Sequence, residues 1–149
     1  MTTEIELEKE LELENPLFIE GLAGIGHIGK NCVSYLSDNL EAERIGKLKS
    51  HHFPPYTLVN DEKVLEALEN DIYLTEINGR SVVLLEGDAQ ASSPQGHYEI
   101  AEKVLEFTDE IGAGEMITTG GCGKGEVVKQ PEVFGAVTSE DLKEKYNET

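Results

Sequence analysis

Alternating apolar and polar residues open the chain, and this period of two is typical of a half-buried β-strand. The apolar members of EIELEKELELE, residues 4–14, are Ile5, Leu7, Leu11 and Leu13. We expect one strand there, with its glutamate-rich face toward solvent. At a sheet edge the like charges of that face would discourage unwanted strand pairing.

The next segment predicts a strand, a helix and a second strand. The apolar run LFIEGLA, residues 17–23, ends at glycines, and RIGKLKS, residues 44–50, has a second strand pattern. Between them, apolar residues recur every fourth position at Ile28, Cys32, Leu36 and Leu40, which indicates a helix. This order predicts a βαβ unit with parallel strands and a right-handed crossover.

A β-hairpin is predicted farther along the chain. DIYLTEI, residues 71–77, and RSVVLLEG, residues 80–87, flank Asn78-Gly79, the strongest short-range hairpin signal. KVLEALEN, residues 63–70, fits the helix and strand periods equally poorly and is left open between them. A hairpin within an α/β chain implies a mixed sheet.

The C-terminal half predicts a helix, two strands and a last short helix. The first helix follows from an apolar stripe that ends before Gly112 and Gly114; its members are Tyr98, Ala101, Val104, Leu105, Thr108 and Ile111. EMITTGG, residues 115–121, predicts a buried strand, and 132–137 a final one. Thr138 or Ser139 would cap the last helix.

Length and charge limit the function classes. A chain of 149 residues suits one α/β domain over residues 1–149. No apolar run approaches the roughly 20 residues of a membrane helix, and the acidic start lacks a secretory pattern, which favours a cytoplasmic protein. The net charge of −18 argues against nucleic acid and anionic membrane surfaces as partners.

A G-x-G-x-x-G pattern at Gly24, Gly26 and Gly29 lies between the first core strand and its helix. A dinucleotide-binding unit also needs an acid near the end of the second strand, and RIGKLKSHHF has none. The glycines therefore favour a structural strand-to-helix turn. Lys30 and the helix N-terminus would still attract an anion, so a small phosphate-bearing ligand stays open.

A second candidate site follows the strongest strand. Asp88, Gln90, Ser92 and Ser93 stand where open α/β sheets place their ligands, which makes this loop the best position for an enzyme site. The same residue types also serve strand-to-helix loops and helix caps. Both interpretations stay open for these four residues.

Other reactive side chains form no coherent set in the sequence. His51 and His52 are adjacent, so on extended backbone they point to opposite sides and make a poor metal pair. GGCGKG, residues 120–125, fails the phosphate-loop pattern, and Cys122 is expected to fill a turn. We therefore expect no catalytic residues, metal or cofactor.

Six segments, taken in order, carry a family resemblance: PLFIEGLAGIGHIGK, RIGKLKSHHFPPY, DIYLTEINGRSVVLLEGDAQ, HYEIAEKVLEF, EMITTGGCGKGE and PEVFGAVTSEDL. They span Pro16 to about Leu142, and in their ordered spacing the chain resembles the proteasome assembly chaperone 2 family, particularly its archaeal members. The resemblance implies a three-layer α/β sandwich with a mixed, mostly parallel sheet, similar to nucleoside-phosphorylase-like folds, and no established enzyme activity.

The same resemblance implies self-association and binding to proteasome α-subunits. Members usually continue farther, so residues 1–149 would be either a short variant or the N-terminal part of a longer family domain. Archaeal proteasome binders tend to end in a hydrophobic residue, a tyrosine and one last residue, whereas Tyr146 follows Lys145 and is three residues from the end. The alternative is a protein or enzyme that binds a nucleotide, nucleoside or phosphate through the Gly24–Lys30 turn and the Asp88–Ser93 loop.

Overall fold

The computed structural model describes residues 3–127 and 129–147. Its strands are β1 (Thr3–Leu7), β2 (Leu17–Leu22), β3 (Glu43–Ser50), β4 (Thr57–Val59), β5 (Leu65–Ala67), β6 (Asn70–Ile77), β7 (Arg80–Gly87) and β8 (Glu115–Thr119). Its α-helices are α1 (Ile28–Asn39), α2 (Pro94–Glu110) and α3 (Glu140–Asn147), and a 3-10 turn (Ile25–His27) precedes α1.

Six strands form one sheet in the order β1, β3, β6, β7, β2, β8. The pairs β7–β2 and β2–β8 are parallel, whereas β1–β3, β3–β6 and β6–β7 are antiparallel. The α/β fold and the mixed sheet are confirmed. The expectation that the sheet is mostly parallel is corrected, because the β6–β7 hairpin and β1 each join the sheet in antiparallel orientation.

The predicted βαβ unit is split. Strand β3 does not lie beside β2, because the β6–β7 hairpin is inserted between them. The hairpin itself is confirmed: Asn78 and Gly79 have φ of 50° and 81°, the left-handed values that a tight two-residue turn requires. The open segment 63–70 contains β5, which pairs antiparallel with β4 in a separate two-stranded sheet.

Helices cover both faces of the main sheet, which confirms the three-layer arrangement. Alternate residues of β2 and β7 point to opposite faces. On one face α1 packs through Val33 onto Ile19, Val82 and Leu84. On the other face α2 packs onto a larger core that contains Phe18, Val83, Leu85, Ile100, Val104 and Phe107.

The face of α2 that packs against the sheet overlaps the predicted stripe in part. Three members of that stripe are buried as predicted: Val104, Thr108 and Ile111. Tyr98 and Leu105 are instead 75% and 54% exposed, and Ile100 and Phe107 are buried in addition, so the packed face is rotated by part of a turn from the predicted one. Ala101 is also exposed, and α2 ends before Gly112 as predicted.

The two ends of the chain are less regular than predicted. Strand β1 stops at Leu7, although Leu11 and Leu13 are half-buried against the larger core. It lies at the sheet edge, where Glu6 pairs with Lys49 at 2.7 Å. The strand predicted over residues 132–137 is absent from the described segment. The side chains of these residues are exposed, and their backbone forms no strand.

The short last helix is present. The backbone N–H of Leu142 donates to the Ser139 hydroxyl at 3.4 Å, so Ser139 caps α3 as one of the two predicted residues. Within residues 3–127 and 129–147, no helix has the length and hydropathy needed to cross a membrane.

Candidate functional site

The candidate site lies where three parallel strands end together. Strands β2, β7 and β8 run in the same direction in adjacent positions. Their carboxyl ends lead into the Gly24 turn, the Asp88 loop and the glycine-rich segment that begins at Gly120. In open α/β sheets, ligands bind at this edge. The fold therefore brings both predicted site segments to one place.

Direct contacts join the two predicted segments. The Lys30 ammonium, in the first turn of α1, forms an ion pair with the Asp88 carboxylate. The side-chain amide of Gln90 donates to the backbone carbonyl of Ala23. Because Asp88 already neutralises Lys30, an incoming anion would have to compete with that carboxylate. Anion binding at this turn stays a prediction.

The two serines of the loop make no described contact with the Gly24–Lys30 turn. The Ser93 hydroxyl accepts a hydrogen bond from the Gly96 N–H at 3.1 Å and caps α2, with Pro94 in the first helical position. Ser92 is exposed, and its backbone N–H donates to the carbonyl of His52 at 2.8 Å. The geometry gives Ser93 a structural role of the kind that a helix cap predicts.

The motif glycines differ in the space around them. A Cβ added at Gly29 would lie 2.4 Å from the carbonyl oxygen of Thr119, so only glycine allows α1 to approach β8 this closely. Gly26 has a φ of 63°, which favours glycine for conformational reasons. Gly24 is less confined, with the Gln90 amide 3.4 Å from an added Cβ.

Glu20 is the site residue that the sequence reasoning missed. It stands on β2 between Leu85 and Thr118, on the same face as Phe18. Burial raises the pKa of its carboxyl above the ordinary value. The available signal was a single glutamate inside the apolar run LFIEGLA, where a charged side chain is costly unless it is paired.

Two cavities of about 320 Å³ each adjoin Glu20. Both are lined by Glu20, Leu22 and Gln90, so they share a wall. The remaining walls of the first are Ala89, Ala91, His97, Tyr98, Ile100 and Ala101. The second is completed by Gly24, Ile25, Thr119, Gly120 and Gly121. Volumes in this range suit small ligands or single side chains.

A second group of charged residues lies at the opposite end of β8. The Glu115 carboxylate accepts a hydrogen bond from Tyr146 and also contacts Lys145 at 3.0 Å and Arg80 at 3.3 Å. These contacts lower the pKa of Glu115, with the Tyr146 hydrogen bond as the largest cause. They attach α3 to the start of β8.

Histidines and cysteines are dispersed. His52 Nε2 lies 2.8 Å from a Glu99 carboxylate oxygen, and His51 is exposed. Cys32 and Cys122 are exposed free thiols. Across residues 3–127 and 129–147, no group of three or more histidine, cysteine, aspartate or glutamate side chains could hold a metal ion.

Comparison with known proteins supplies the family context. A protein-family model described as the PAC2 family matches residues 18–149. An uncharacterized protein of Methanocaldococcus jannaschii is 38% identical over 141 residues, which cover 94% of this chain and 54% of that protein.

Solved structures share the fold. Pyrococcus furiosus PbaB, described as an archaeal proteasome activator, matches with a TM-score of 0.91 and 36% identity over 99% of this chain and 62% of its own. Pyrococcus furiosus PbaA, described as an archaeal homolog of proteasome-assembly chaperone, matches with a TM-score of 0.70 and 23% identity over 97% of this chain and 61% of its own. The chain thus spans between half and two thirds of these relatives.

Proposed function

This chain belongs to the PAC2 family, and from that membership we propose that it is a non-enzymatic, chaperone-like interaction protein that binds proteasome α-subunits and copies of itself. The observation that carries the proposal is the likeness to PbaB, at 36% identity and a TM-score of 0.91 over 99% of this chain. PbaB is described as a proteasome activator, so a proteasome subunit is the natural protein partner to test.

Exposed apolar side chains support a protein partner. Several of them lie in the small β4–β5 sheet or directly before one of its strands: Tyr56, Leu58, Val59, Val64 and Leu65 are between 40% and 69% exposed. A two-stranded sheet of this size is marginal on its own, and apolar patches on a soluble domain mark contact surfaces. Copies of a chain with a net charge of −18 repel one another. Burial of these apolar side chains between copies would supply the attraction that opposes this repulsion.

Binding to α-subunits is tested by co-purification. Tagged protein, expressed in its native host, is expected to retain α-subunits through a wash at about 0.15 M salt, where weak charge contacts are screened. A tagged acidic protein of similar size serves as the negative control. Recovery of no α-subunits, beside a positive control that works, would contradict this part of the proposal.

Self-association is tested by light scattering across a concentration series. We expect a mass above that of the 16.4 kDa monomer. Leu65→Ser should shift the population toward monomer because it removes an exposed apolar side chain from β5. Glu62→Ser, in the adjoining loop, is the matched control and should leave the mass unchanged. A monomer at every concentration would refute self-association.

Small-molecule binding is the second candidate function, and it is favoured by the two cavities that Gln90 lines, the second of which Gly24 also lines. The proposed ligand is a nucleotide, nucleoside or phosphate, tested by thermal shift with a panel of these compounds. If one compound raises the melting temperature, Lys30→Met should abolish the shift. Flat melting curves across the panel would count against this function.

A further inference from the structure

Among the described residues, the Glu20 carboxylate has no ion-pair or hydrogen-bond partner that would stabilise its charge. Within residues 3–127 and 129–147, no side chain forms an ion pair with it or donates a hydrogen bond to it, and burial is the resolved cause of its raised pKa. By contrast Glu86, on the neighbouring strand, accepts hydrogen bonds from Ser34 at 2.6 Å and Ser37 at 3.2 Å. A partly buried carboxylate without such partners is costly to keep ionised.

The surroundings of Glu20 define what could compensate it. Lys30 follows the same strand in the sequence, but its ammonium is paired with Asp88 and lines neither cavity. The first cavity lines one side of the carboxylate mostly with apolar groups, among them Leu22, Ile100 and Ala101. His97 also lines this cavity, but within the described residues its imidazole forms no hydrogen bond or ion pair with Glu20. A ligand that fits therefore combines a donor-rich cationic end with an aliphatic part.

The aromatic ring of Tyr98 also favours a cationic ligand in the first cavity. Tyr98 lines the first cavity and is 75% exposed, so its ring lies at the solvent side of the cavity. Guanidinium and ammonium groups are attracted to aromatic faces as well as to carboxylates. The cavity volume of about 320 Å³ accommodates one such side chain or a small amine.

We propose that Glu20 and the adjoining cavity form a binding site for a guanidinium or ammonium group on a short aliphatic stem. The carboxylate accepts hydrogen bonds from the cation, and the stem lies along Leu22 and Ala101. The site is independent of the proposed binding to α-subunits. The same chemistry has two sources, a free small amine or a basic side chain of a protein.

Isothermal titration calorimetry of the purified chain tests this site with three probes. Agmatine represents a free small cation, N-acetyl-arginine amide a protein side chain, and N-acetyl-citrulline amide the neutral counterpart of that side chain. At about 0.15 M salt, which screens the general acidic charge, we expect saturable binding of at least one cationic probe. Binding of agmatine alone identifies the small-molecule source, and binding of the blocked arginine alone identifies the side-chain source.

Two variants locate the site. Glu20→Gln should weaken binding roughly tenfold to a hundredfold, because it removes a charged hydrogen-bond acceptor while keeping the shape. Glu86→Gln makes the same change in net charge on the other face of the sheet and should leave affinity unchanged. Ala101→Phe should also weaken binding, since it fills the cavity without altering charge.

Several results would overturn the proposal. These are the absence of saturable binding to the native chain at roughly 10 mM probe, equal binding of the citrulline compound, or equal loss in the Glu20 and Glu86 variants. Circular dichroism of each variant establishes that it is folded. If Glu20→Gln failed to fold, unchanged affinity in Ala101→Phe would overturn the site by itself. The calorimetry contains no α-subunit, so a negative result would not bear on the proposed binding to α-subunits, which the co-purification experiment tests.

Discussion

Replacing Gly29 by alanine tests whether the glycine motif exists for packing. Gly29 lies in the first turn of α1, where its Cα faces the end of β8. An added Cβ would lie 2.4 Å from the carbonyl oxygen of Thr119 and 3.2 Å from that of Leu22. Both neighbours are backbone atoms of a sheet, so they cannot rotate away as a flexible side chain would.

The magnitude follows from the required movement. An ordinary contact of about 3.5 Å needs α1 to shift by roughly 1 Å. The shift would strain the 3.2 Å hydrogen bond from Thr119 Oγ1 to the Gly29 carbonyl and loosen Val33 in its core. Overpacking costs about 1–3 kcal/mol and the hydrogen bond about 1, while the better helix propensity of alanine returns about 1. We expect a net loss of about 2 kcal/mol.

Urea unfolding followed by circular dichroism measures this loss, and it corresponds to a fall of roughly 4–8 °C in melting temperature. Gly120→Ala is the matched control, because an added Cβ there has no atom within 4 Å. The control should stay within about 0.5 kcal/mol of the native chain. A Gly29→Ala variant as stable as Gly120→Ala would refute the packing explanation.

Three further predictions concern stability measured by urea unfolding. Ser93→Ala should lower the free energy of unfolding by about 1 kcal/mol, because α2 loses its N-terminal cap. Gly79→Ala should cost about 1–2 kcal/mol, since φ is 81° there. Two of the carboxyls with a perturbed pKa, Glu115 and Glu20, should respond oppositely to pH: Glu115, whose pKa is lowered chiefly by Tyr146, stabilises the fold above pH 4.5 and loses that effect as pH falls through its folded pKa. Glu20, whose pKa is raised, destabilises the fold above pH 4.5, so Glu20→Gln should gain stability at neutral pH and lose the gain in acid.

Local signals in the sequence predicted local structure well. Asn78-Gly79 fixes the hairpin because both residues adopt positive φ. The four-residue period from Ile28 predicts the presence of α1, but the face that α1 buries is the neighbouring one of Gly29, Val33 and Ser37, while Ile28 and Cys32 are exposed. Strand order could not be predicted in the same way. The position of β3 depends on which distant strand it pairs with, and no residue of RIGKLKS encodes that choice locally.

The sequence predicts where the candidate site lies but not which of its residues contact each other. Asp88 and Gly24 follow parallel strands, so their meeting at one sheet edge follows from the fold class. The pairing of Asp88 with Lys30 depends on the distance between α1 and β7, which the sequence does not specify. Glu20 was overlooked because an isolated acid in a strand is ordinarily assigned to a solvent face.

The split βαβ unit also changes the test for a dinucleotide site. That test looked for an acid after β3, but β3 is separated from β2 by two strands and its end lies roughly 14 Å away at the usual strand spacing. On that side of β2 the neighbouring strand is β7, and the acid at its end is Asp88, which is already paired with Lys30. A bound dinucleotide would have to break that ion pair. Among the described residues of this edge, the carboxylate that is left without a partner is Glu20, and a carboxylate selects cations over phosphates.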